Sequence, residues 1–92
     1  MEKIKVLIAD DHRVVREGLA PILKTKEDLN VVGEAQDGME AVEKTKTLMP
    51  DVILMDVSMP RMGGVEATRQ IKREFPHIGI VALTMYEEQQ YI

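Results

Sequence analysis

The 92-residue sequence has no cysteine and no tryptophan, and aromatic residues make up only 3% of it. Without cysteine, a disulfide framework and thiolate metal sites are excluded. No apolar stretch approaches the roughly 18 residues that a membrane span needs. The opening Met1-Glu2-Lys3-Ile4-Lys5 runs straight into a strand-like segment and lacks a signal-peptide layout. No basic run occurs and the formal net charge is −4, so this segment is not suited to gripping a nucleic-acid backbone. Internal repeats and low-complexity linkers are also missing. A cytoplasmic protein without membrane contact is the expectation. What remains is an ordinary globular composition, 45% hydrophobic and 30% charged. A chain of this length makes one small domain over 1–92, with a modest core because much of its surface stays in water.

The pattern alternates between strand and helix. Residues 4–9, Ile-Lys-Val-Leu-Ile-Ala, form a β-branched run that ends in Asp10-Asp11. A helix is expected over 12–26, with Val15, Leu19, Ile22 and Leu23 as its apolar stripe and Asp11 as its N-cap. Pro21 should bend or end that helix. Residues 29–35 read as a weaker strand near the sheet edge, and Gln36-Asp37-Gly38 is turn chemistry. A second helix follows over 39–48, with Ala41, Val42, Thr45, Leu48 and Met49 inward, and Pro50 stops it. Residues 52–55, Val-Ile-Leu-Met, are a short unbroken apolar run suited to a strand buried on both faces. A third helix is expected over 65–75, with Val65, Thr68, Ile71 and Phe75 on one face. A fourth strand is expected over 78–83, and a helix start near Tyr86. Strands alternating with helices through short connectors indicate parallel, right-handed crossovers, hence an α/β fold.

The chemistry sits at two strand ends. Asp56 follows the central strand and Asp10-Asp11 follow the first, so three carboxylates share the rim where open α/β sheets bind ligands. Each alone is also read as a turn or cap residue. Unpaired, the three repel and at least one pKa should rise. A hard divalent cation relieves that repulsion, and Mg²⁺ suits a few carboxylates with water and phosphate oxygens in the remaining positions. The Ser58 carbonyl is the nearest candidate for a further ligand. A carboxylate beside Mg²⁺ can attack a phosphoryl group in line, giving an acyl phosphate. Thr84 at the end of the fourth strand could donate its hydroxyl to a phosphoryl oxygen, or equally cap the next helix.

Asp10-Asp11 after strand one, Asp56 after strand three, Met59-Pro60 with Gly63-Gly64 behind it, and Ala82-Leu83-Thr84 on strand four are spaced as one set. In that set the chain resembles the receiver domain of a two-component response regulator. Ile8-Ala9-Asp10-Asp11-His12, Asp56-Val57-Ser58-Met59-Pro60 and Gly64-Val65-Glu66-Ala67-Thr68 look most like the NarL/FixJ-like subfamily. The resemblance implies a flavodoxin-like parallel sheet with helices on both faces, in the order 2-1-3-4-5. It implies Asp56 as phosphoacceptor for a sensor histidine kinase, and Asp11, Asp10 (largely through water), Asp56 and the Ser58 carbonyl as Mg²⁺ ligands. Thr84 becomes the switch hydroxyl. An output domain beyond this segment would bind DNA and control transcription.

Receivers of this family carry a final strand and helix, a lysine that pairs with the phosphoryl group, and a rotating aromatic residue. The chain is expected to lack these, so its phosphorylation should be slow or lost, and its open sheet edge should promote self-association. Lys46 and Lys72, on outer helix faces, are poor substitutes for the lysine. Two further readings remain open. One is a structural or self-associating module with a vestigial acidic pocket. The other, disfavoured, is a Mg²⁺-dependent phosphatase with an aspartyl-phosphate intermediate, because Ser58 stands where that class has its second carboxylate. A phosphoacceptor rather than an enzyme is expected.

Overall fold

The computed structural model describes residues 3–59 and 61–83. Four strands, β1 (Ile4–Ala9), β2 (Leu29–Ala35), β3 (Val52–Asp56) and β4 (Gly79–Leu83), pair in parallel in the order β2-β1-β3-β4. Between them run α1 (Arg13–Lys24), α2 (Gly38–Leu48) and α3 (Gly64–Glu74). Because side chains alternate along a strand, Leu7, Ala9, Ile53 and Met55 face α2 and α3 and meet Ala41, Ala67 and Ile71. Val6, Ile8 and Leu54 face the other way, toward Leu19, Ala20 and Leu23 of α1. Helices therefore cover both faces, as the unbroken apolar run over 52–55 requires. Leu7, Ile53 and Ile71 are fully buried, each contributing about 1.5–3 kcal/mol of transfer free energy. This order matches the first four strands of the flavodoxin-like arrangement. Among the described residues no strand lies beyond β4.

The weaker strand over 29–35 is the edge strand β2, and it carries an irregularity. Its register against β1 slips between Val6 and Leu7, which pair with Val31 and Gly33, leaving Val32 as the extra residue. Other expectations need correction. Asp11 is not the N-cap of α1; His12 occupies that position, with no side-chain cap, and Asp11 turns toward the rim instead. The helix does not end early at Pro21 but continues to Lys24, and the ring sits exposed in the last turn. Ile22 is 59% exposed, although it belongs to the apolar stripe. It lies two residues from buried Ala20, and two residues project about 160° apart on a helix, so the sheet can take only one of them. The same offset separates buried Ala67 from Val65, which is 61% exposed. Met49 is not inward: it caps α2 in the left-handed conformation with φ 47°. Thr84 and the helix start near Tyr86 lie outside the described residues.

Candidate functional site: an acidic pocket

Ala9 of β1 lies opposite Met55 of β3, so the residues just beyond them emerge side by side at the carboxyl rim. Asp56 is itself the last residue of β3 rather than the first of the loop. That rim, between β1 and β3, is where successive crossovers pass to opposite faces of the sheet, which opens a crevice. Asp10, Asp11, His12 and Asp56 each aim one potential ligand atom into it, and these atoms lie within 4.8 Å of one another. Asp10 is 0% exposed and Asp56 1%, while the Asp11 side chain is 28% exposed.

The hydrogen bonds satisfy only part of this cluster. Oδ1 of Asp56 accepts the Ser58 backbone N–H at 3.1 Å, and Oδ1 of Asp10 accepts the His12 backbone N–H at 2.8 Å. Among the described residues, Oδ2 of Asp10, Oδ1 of Asp11 and Oδ2 of Asp56 are buried with no hydrogen-bond partner. Buried acceptors are seldom left without one, because their desolvation is then uncompensated. Burial raises the Asp56 pKa above its ordinary value; the Asp10 and Asp11 carboxylates push the same way, and the Ser58 N–H opposes them.

From the sequence His12 is only the start of a helix; the structure brings its ring to the acidic cluster. Its Nδ1 is 2.9 Å from Oδ1 of Asp10, 3.1 Å from Oδ1 of Asp11 without hydrogen-bond geometry, and 3.9 Å from Oδ2 of Asp56. The bond with Asp10, then the charge of Asp11, raises the His12 pKa. Arg16 was also missed. Its guanidinium donates to the Asp10 carbonyl and to Glu34 on β2, which fixes the peptide behind the first carboxylate. The spacing His12 to Arg16, one helical turn, is the signal that could have found the pair.

Asp10, Asp11 and Asp56 thus come together as expected, with the Ser58 backbone beside Asp56. No position for Thr84 is described. Three unpartnered buried carboxylate oxygens from two adjacent strand ends are a hard, all-oxygen donor set, which fits a small divalent cation. Lys72 and Lys46 are engaged elsewhere. Lys72 donates to the Pro76 and Ile78 carbonyls, both at 2.8 Å, and Lys46 pairs with Glu74 at 3.8 Å.

The response regulator receiver domain family matches residues 6–92. The chain is similar to the response regulator protein VraR of Staphylococcus saprophyticus, 49% identical over 89 residues, covering 97% of this chain and 43% of VraR. It therefore spans less than half the length of this curated relative. Among solved structures it resembles the signal receiver domain of the putative response regulator NarL from Mycobacterium tuberculosis (TM-score 0.85, 35% identity, 98% of this chain and 73% of that one). It also resembles a CheX–CheY–BeF3–Mg²⁺ complex from Borrelia burgdorferi (TM-score 0.86, 28% identity, 97% and 68%). With the fold, the paired acidic strand ends and these matches in agreement, the chain belongs to the response regulator receiver domain family of two-component systems, in its NarL-like branch.

Proposed function

We propose that the chain is a phosphoacceptor module of the cytoplasm in which Asp56 receives a phosphoryl group from a phosphohistidine of a sensor histidine kinase. One observation carries this reading: Asp56 is buried, its Oδ1 is tied to Ser58, and its Oδ2 is aimed into the crevice without a partner among the described residues. In the transfer, an Asp56 oxygen forms a bond to phosphorus while the bond from phosphorus to the histidine nitrogen breaks. The electron pair stays on that nitrogen, and Asp56 is left as an acyl phosphate. Asp11, Asp56 and the Ser58 carbonyl would hold Mg²⁺ directly and Asp10 largely through water. When bound, the cation offsets the repulsion between the incoming phosphoryl group and the carboxylates. The Mg²⁺ named with the CheY relative supports that choice. Thr84 is assigned as the switch hydroxyl toward the phosphoryl group, and the output is transcription control by a DNA-binding domain beyond this segment.

The chain is incubated with Mg²⁺ and acetyl phosphate and followed by intact-protein mass spectrometry. A slow gain of one phosphoryl group is expected, abolished by Asp56→Asn and by chelation. Slowness is supported by Lys46 and Lys72, which among the described residues bond elsewhere and offer no ammonium to the phosphoryl oxygens. Losing one preorganised donor costs on the order of 2.7–4 kcal/mol of transition-state stabilisation. Rapid, Asp56-dependent labelling would refute the slowness. A gain that survives Asp56→Asn would refute the acceptor assignment.

A further inference from the structure

The loop from Asp56 to Gly64 joins β3 to α3 and contains Ser58, and it is pinned from two directions. At Gly64, an added Cβ would stand 2.1 Å from the Asp56 carbonyl oxygen and 2.7 Å from Cα of Val57, so the loop closes tightly onto its own strand. At Gly38, the first residue of α2, an added Cβ would stand 2.0 Å from the Met62 carbonyl oxygen. The backbone of the loop is therefore pressed against the N-terminus of a different helix. Beside that contact, Asp37 divides its two oxygens between two tasks. Oδ1 caps α2 by accepting the Glu40 N–H at 2.8 Å, and Oδ2 lies 3.2 Å from Nε of Arg61 in the loop. Arg61 has φ 65°, a region in which a Cβ crowds the backbone and which glycine or asparagine usually occupies. Non-glycine residues keep such a conformation where the surroundings over-determine it, and such sites cluster at functional loops.

From this convergence we infer that Asp37 and Arg61 form a latch by which the N-terminus of α2 sets the shape of the acceptor loop. Both are positioning residues for the phosphoacceptor site. They act through the Ser58 peptide, whose N–H holds Oδ1 of Asp56 and whose carbonyl faces the cation in the proposed function, on which this inference rests. The cap alone does not require an aspartate, since asparagine accepts the Glu40 N–H equally well. Nor does the turn alone require an arginine, since glycine takes φ 65° with less strain. What needs both charged residues is the pairing between them.

Two substitutions separate the latch from a plain structural role. Asp37→Asn keeps the cap and removes the charge opposite Arg61; Arg61→Gly relieves the backbone and removes the guanidinium. Mg²⁺ titration calorimetry on the wild-type chain and both variants is expected to show about threefold to fivefold weaker binding in each variant, the scale of a partly exposed ion pair. The double variant should be no weaker than either single one, because the two side chains form one unit. Amide hydrogen exchange, read by NMR without metal, should show the Ser58 N–H less protected in both variants. Binding within twofold of wild type, losses that multiply in the double variant, or unchanged Ser58 protection would overturn the latch. Should the wild-type chain fail to bind Mg²⁺, the metal reading falls, and Ser58 exchange still decides the latch.

Discussion

At the scale of single residues, the site is governed by carboxylates held close together and away from water. Burial raises the Asp56 pKa above its ordinary 3.8, so the folded chain binds that proton more tightly than the unfolded one. Its contribution to stability therefore falls as pH rises from 3.8 through the raised folded value. His12 behaves in the same direction. Its pKa is raised above 6.5 by the bond with Asp10, so the stability gained from its protonation is complete below 6.5 and lost as pH rises through the folded value. The metal-free chain is accordingly expected to lose stability in urea unfolding over the interval from pH 3.8 up through the raised Asp56 value and from pH 6.5 up through the raised His12 value. Asp56→Asn should stabilise it at the upper end by about 1–3 kcal/mol, because a buried negative charge beside Asp10 and Asp11 is removed, and flatten the profile. A profile that climbs over that interval, or an Asp56→Asn variant that is less stable at its alkaline end, would contradict this account. The three acids were legible in the sequence because each ends a short apolar run. His12 was not, because the fold of its ring back over Asp10 depends on how α1 leaves the strand.

At the scale of elements, the contacts that matter most are those between backbones. Gly38 was read from sequence as turn chemistry, yet its φ is not positive. Its smallness serves the approach of Met62, 24 residues away, which no local pattern can show. Gly38→Ala is expected to destabilise the chain by about 1–3 kcal/mol, as overpacking does. Gly18 in α1 is the control, since an added Cβ there meets nothing within 4 Å. Gly18→Ala should stabilise the chain by roughly 0.5–1 kcal/mol through helix propensity and reduced unfolded-state freedom. Chemical denaturation of the two variants checks both signs, and equal effects would show that the close approach at Gly38 is unimportant. The helices were legible as helices. Their facing residues were legible only in part: Ala20 and Ala67 are buried where Ile22 and Val65 were the more hydrophobic candidates.

At the scale of the whole molecule, β4 pairs only with β3 among the described residues, and Val81 on it is 51% exposed. Residues Val65, Thr68 and Lys72 of α3 border an open cavity of about 390 Å³ with Ile80 and Ala82 of the same strand. A strand whose outer edge pairs with nothing among the described residues, beside apolar surface, is a template for another chain. The 92-residue chain is therefore expected to self-associate, with an apparent mass in light scattering that rises with concentration. Val81→Lys should suppress that rise by placing a charge on the edge strand. A monomer at every concentration would count against the open edge.

The sequence by itself determined the order of strands and helices, the parallel α/β class and the acids at the two strand ends. Those features rest on local terms: residue periodicity, β-branching, and the breakers at Pro50 and Gly63-Gly64. Only the tertiary structure decided which oxygens are left without partners, that His12 leans over the acids, and that Arg61 reaches Asp37. Those outcomes depend on residues far apart in the chain meeting across the rim of the sheet. Packing and desolvation act there, and neither is encoded at any single position.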